Sequence, residues 1–118
     1  MQTNELKDLI CKVLDDKKGI DIVVIDIGEL SIVADYFVIV SGRSTTQVKA
    51  LAGNLEEELS KNYGVEPLRS EGKRDGRWAV VDYGSVVVHV FHEETRRLYS
   101  LEQLWGDGQN VTRYGDQD

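Results

Sequence analysis

Apolar residues at Leu6, Leu9, Ile10, Val13 and Leu14 recur at the spacing that lines one stripe of a helix. Thr3 is placed to cap the start of that helix and Gly19 to end it in a left-handed turn, while Lys17 and Lys18 suit the negative end of its dipole. The period then changes. Ile20 to Ile27 is rich in β-branched residues and predicts a strand. Tyr36 to Val40 is apolar at every position, which predicts a strand covered on both faces and therefore inside a sheet. Ser41, Gly42 and Arg43 form a turn. Ser44 and Gln47 then make a capping box for a helix whose apolar face is Val48, Leu51, Ala52, Leu55 and Leu59, closed by Gly64.

The sole proline, Pro67, confines Val65 to Arg69 to the edge of a sheet, because proline cannot donate to a ladder. A charged, glycine-flanked loop from Glu71 to Arg77 precedes two apolar runs, Trp78 to Tyr83 and Val86 to Phe91, separated only by Gly84 and Ser85: a hairpin with a two-residue turn. From Glu93 a last helical stretch carries Leu98, Leu101, Leu104 and Trp105. Beyond Gly106 there is little to bury, so the chain reads as one domain over residues 1–108 with a mobile tail, 109–118. The predicted fold class is α/β (α+β): a mixed β-sheet of about five strands with flanking helices, its second and third strands parallel across a helical crossover.

The hairpin sorts its side chains by face. Its register pairs Trp78 with Phe91, Val80 with His89 and Asp82 with Val87, so Ala79, Val81, Tyr83, Val86, Val88 and Val90 form a ready-made core face. The opposite face carries Trp78, Val80, Asp82, Val87, His89 and Phe91. Large apolar groups among ionisable ones suit the centre of a protein interface; the alternative is that helices cover both faces and Asp82 with His89 is a buried polar pair. Asp82 and His89 are diagonal, so the register alone does not join them by a hydrogen bond.

Composition narrows the function. A chain of 118 residues fits one domain able to bury a core, and a single cysteine, Cys11, excludes an internal disulfide and favours a reducing compartment. The start, Met1 to Glu5, lacks the basic flank and apolar run of a signal peptide, and no run is long enough to span a membrane. A cytoplasmic protein is expected. With 14 Lys and Arg against 21 Asp and Glu, the net charge of -7 disfavours a phosphate backbone and suits a basic protein face.

Several catalytic readings fall away. His89 and His92, three apart on a strand, point to opposite faces and do not converge on a metal; no metal or cofactor is expected. Cys11 lies near an apolar helical stripe, where a thiol behaves as a small hydrophobe. The Ser41 to Ser44 turn lacks the lysine and glycine spacing of a phosphate loop. A strand, a Gly-Ser turn and a helix also occur in nucleotidyltransferase folds, whose chemistry needs paired metal-binding carboxylates, and here those strands offer only Asp82. Lys73, Arg74 and Arg77 in the charged loop are either a solvated surface or an accessory RNA contact.

Six blocks in order resemble the ribosomal silencing factor family, also called RsfS or Iojap-like: Ala34 to Ile39; Ser41 to Ser44 with Gln47 and Val48; Glu71 and Gly72; Trp78 to Asp82; Val86 to Phe91; and Tyr99 to Trp105. The resemblance spans about Leu6 to Gly108. It implies a nucleotidyltransferase-like fold without the catalytic acids. It also implies a non-enzymatic activity: binding ribosomal protein L-fourteen on the large ribosomal subunit, obstructing subunit joining, repressing translation and acting late in large-subunit assembly. Carried onto matching positions, Trp78, Asp82, His89, Tyr99, Glu102 and Trp105 are expected at the partner contact or in support of it. The alternatives are an active nucleotidyltransferase-like enzyme, and a homodimer using the apolar strand face, which is compatible with ribosome binding.

Overall fold

A computed structural model describes residues 1–115. The elements are α1 (Thr3–Asp16), β1 (Ile20–Asp26), β2 (Tyr36–Gly42), α2 (Thr45–Tyr63), β3 (Arg69–Glu71), β4 (Trp78–Asp82), β5 (Val86–His92), α3 (Glu93–Tyr99), α4 (Leu101–Trp105) and β6 (Val111–Arg113). Six strands form one mixed sheet in the order β3-β4-β5-β2-β1-β6. β2 lies inside it, as its continuous apolar run predicts; β3 is an edge strand, but it begins only at Arg69, so the strand expected over Val65 to Arg69 is displaced and Pro67 lies in the loop before it. The hairpin register is the expected one, Trp78 with Phe91, Val80 with His89 and Asp82 with Val87.

Four other expectations change. The parallel partner of β2 is β5, not the strand that follows α2; that strand, β3, pairs antiparallel with β4 at the edge. A three-residue strand has too few ladder groups to hold a central position, whereas β5 is seven residues long, with Val86, Val88 and Val90 on one face and Val87 and Phe91 flanking His89 on the other. Gln2 rather than Thr3 takes the cap position of α1, without a side-chain hydrogen bond. Lys18 rather than Gly19 makes the left-handed exit, at φ 71°. Gly19 serves close approach instead: a Cβ there would sit 2.6 Å from Val40 Cγ2. Finally, part of the expected tail adds a sixth strand: β6 pairs antiparallel with β1, with Val111 half-buried. Residues 116–118, the end of that tail, lie outside the described residues.

The two faces of the sheet are covered unequally. On one, α1 and α2 pack Leu6, Ile10, Leu14, Val48, Leu51, Leu55 and Leu59 against Val38, Val40, Ala79, Val81, Val86, Val88 and Val90. Ser44 Oγ accepts from Gln47 N–H, and the Gln47 side chain accepts from Arg43 N–H and donates to the Lys18 carbonyl, tying the entry of α2 to the exit of α1. On the other, a smaller cluster of Val23, Ile25, Ile27, Ala34, Ile39, Phe91 and Leu101 is covered by the short α3 and α4 and the loop after β1. That asymmetry leaves part of a sheet face open.

Candidate protein-binding site

The open part is the second face of the hairpin. His89 and Phe91 are buried there, while Trp78, Val80, Asp82 and Val87 remain half-buried and Tyr99 is 54% exposed. Tyr99 at the end of α3 packs on the Trp78 ring and Leu101 of α4 shares a cluster with Phe91, so the two short helices cover this face in part. The expected single helical stretch breaks in two at Ser100, whose left-handed backbone (φ 39°, ψ 56°) turns the chain. Only Leu101 of its expected apolar residues is buried; Leu98 and Leu104 are 82% and 73% exposed and Trp105 is half-buried.

Aromatic rings hold the strip together. Trp78 stacks on Phe91 at 4.8 Å between centroids and lies 4.8 Å from Tyr99; His89 meets Phe37 edge to face at 4.7 Å, and Phe37 meets Trp105 the same way at 5.3 Å. Trp78 Nε1–H donates to His89 Nδ1 at 3.1 Å, so the neutral imidazole carries its proton on Nε2, which is buried without a partner. Burial pushes the His89 pKa down to about 4, and the nearby Asp82 carboxylate offsets part of that fall. His89 is thus a neutral group bonded to Trp78, not to Asp82.

Asp82 has a different task. Its Oδ1 accepts from the Gly84 amide at 2.8 Å, fixing the hairpin turn, and its Oδ2 accepts from Arg69 Nε at 3.3 Å, fastening the edge strand. Both oxygens are engaged, and its neighbours on that face are Arg69, Val80 and Val87. Glu71 of β3 shares that face but is exposed, and among the described residues no three His, Cys, Asp or Glu side chains gather where they could hold a metal. His92 caps α3, accepting from Glu94 N–H, away from His89.

Glu102 and Trp105 act through the short helices. Glu102 Oε2 accepts from Arg96 Nε and a terminal guanidinium nitrogen at 3.3 and 3.1 Å, and Arg96 also donates to Ser41 Oγ at 2.8 Å. This buried arginine bolts α3, α4 and the end of β2 together and so sets where Tyr99 and Trp105 stand. Sequence reasoning missed Arg96 because a six-residue separation from Glu102 is not a helical neighbour; the break at Ser100 creates the pair. It also missed Phe37, whose apolar surroundings give no sign that it borders His89. The structure therefore gathers Trp78, Asp82, His89, Tyr99, Glu102 and Trp105 on one side of the sheet, with Tyr99 exposed, His89 buried and the other four half-buried.

In the charged loop, Lys73 pairs with Glu56 of α2 at 2.5 Å and Arg77 lies 3.8 Å from Asp75, while Arg74 is exposed.

Such a molecule is a mixed α+β module with one well-covered face and one half-open aromatic face, a form suited to binding another protein. The profile described as "Ribosomal silencing factor during starvation" matches residues 1–118, and the chain belongs to that family. It is 41% identical over 115 residues to the ribosomal silencing factor RsfS of Halalkalibacterium halodurans, covering 98% of this chain and 97% of that one. A crystal structure of a protein from Chromobacterium violaceum superimposes with a TM-score of 0.86 at 40% identity, covering 90% of this chain and 88% of that one. The mouse protein named "Mitochondrial assembly of ribosomal large subunit protein 1" is 38% identical over 104 residues, covering 83% of this chain but only 44% of its own length.

Proposed function

We propose that this chain is a translational repressor that docks on ribosomal protein L-fourteen of the large ribosomal subunit, blocks joining of the small subunit and takes part in late large-subunit assembly. The observation that carries the reading is the half-open strip of Trp78, Val80, Asp82 and Val87 beside exposed Tyr99. Aromatic anchors at the centre of a polar-rimmed face supply most of the energy in protein interfaces. A net charge of -7 favours encounter with a basic ribosomal protein, and exposed Arg74 is placed for a minor contact with ribosomal RNA. Family membership and the relatives' names support the ribosome as the setting. The mechanism is steric exclusion in the cytoplasm, needing affinity and placement but no turnover, cofactor or metal.

Co-sedimentation with isolated large subunits tests it. The wild-type chain is expected to travel with them, and Tyr99→Ala with Trp78→Ala to weaken retention by about 30-fold or more, since truncating a central aromatic anchor costs about 2 kcal/mol or more. Absence of retention, or retention unaffected by the double substitution in a folded protein, defeats the reading. Sizing across a concentration series separates self-association through the same face from ribosome binding.

A further inference from the structure

Three large aliphatic side chains stand in the open within four residues of the loop joining β1 to β2. Leu30 is 59%, Ile32 104% and Val33 79% exposed. Clustered exposure of this kind marks surfaces that another molecule covers. The loop is also pre-shaped. Ile27 N–H donates to the Asp35 carbonyl, closing its base at 2.9 Å; the Ile27 carbonyl accepts from Leu30 and Ser31; and Ser31 Oγ accepts from Val33 N–H at 3.1 Å. Its base belongs to the partner-facing side of the sheet: Ile27 and Ala34 share a cluster with Phe91 and Leu101, and the amides of Asp35 and Tyr36 both donate to the Ser85 carbonyl in the hairpin turn.

The surroundings say what kind of surface fits. Residues 20–42 contain Asp21, Asp26, Glu29 and Asp35 and no Lys, Arg or His, and Asp26, Glu29 and Asp107 line the hollow of about 320 Å³ beside Leu30. An aliphatic tip on an acidic collar complements an apolar depression rimmed by lysine and arginine. We infer that Leu30, Ile32 and Val33 are a second anchor for the same basic large-subunit protein that covers the Trp78 strip. The inference rests on the reading above and extends the interface from the hairpin flank to the β1–β2 loop. Because the loop is held by its own hydrogen bonds, binding it loses little conformational entropy.

The test compares equilibrium binding of fluorescently labelled full-length chains to isolated large subunits. Ile32→Ser with Val33→Ser removes apolar surface that the free fold does not bury, so an unchanged thermal transition is expected with an affinity lowered at least tenfold. Glu29→Lys, also exposed, is expected to slow association severalfold at low salt, with the difference shrinking at high salt. If Trp78→Ala weakens binding while the loop double variant binds like wild type, this inference fails and the functional reading stands. Should Trp78→Ala and the loop variant both bind like wild type, or no chain bind at all, the reading and the inference fail together. A concentration-dependent dimer dispersed by the loop substitutions, with large-subunit affinity intact, assigns the tip to a second copy and overturns the proposal.

Discussion

His89 makes the stability of this protein sensitive to pH in a defined window. In the folded chain its imidazole is buried, accepts the Trp78 indole proton, and has its pKa pushed down to about 4 against an ordinary value of 6.5. Protonation therefore favours the unfolded chain, which takes up the proton first as pH falls. Stability from this group is complete above pH 6.5, declines between 6.5 and 4, and changes no further below 4, where both forms are charged. At about 1.4 kcal/mol per pH unit, the full decline is about 3 kcal/mol. Carboxylates also titrate toward the acid end, so the measurement is a difference: urea unfolding of wild type and His89→Asn at steps from pH 7 to pH 4. Asparagine's side-chain oxygen can still accept from Trp78 but cannot take a proton in this range. Wild type is expected to lose about 3 kcal/mol more than the variant over that span. Parallel curves would show that His89 does not carry the buried neutral role assigned to it.

Replacing Arg96 by Met leaves Glu102 and Ser41 without their shared partner and is expected to lower stability by about 2 kcal/mol, read by thermal unfolding, because an uncompensated carboxylate remains where a pair stood. Gly72→Ala would place a Cβ 2.0 Å from the Trp78 carbonyl oxygen at φ 80°, so a loss of about 2 kcal/mol or more is expected in denaturant melts, whereas Gly108→Ala, in open space at φ 86°, pays only for its backbone conformation. Truncation after Gly106 strips β6 and the Asn110 side-chain bonds to the carbonyls of Asp26 and Trp105; about 2 kcal/mol should be lost, and hydrogen exchange along β1 should accelerate.

Much of the architecture is written in local pattern. The uniform apolar run at Tyr36 puts β2 inside the sheet, the Gly84-Ser85 turn sets the hairpin register, and Ser44 with Gln47 starts α2. Each depends on neighbours a few residues apart. The same register divides Trp78, Asp82 and His89 from the residues that face α1 and α2. Edge strands are harder to see. β6 is three residues long, and its membership depends on β1 offering a free edge.

Composition and periodicity by themselves determined a mixed α+β chain with an acidic surface, one single-sided hairpin and no paired carboxylates on its candidate strands, because these follow from residue chemistry and the two-residue and 3.6-residue repeats of strand and helix. Tertiary structure alone decided that β2 lies parallel to β5, that the chain breaks at Ser100 so that Arg96 reaches Glu102, and that His89 is neutral under Trp78 while Tyr99 stays in solvent. Those outcomes turn on which surfaces meet across long sequence separations. Burial, and with it the charge state of His89, is a property of the assembled neighbours rather than of any segment.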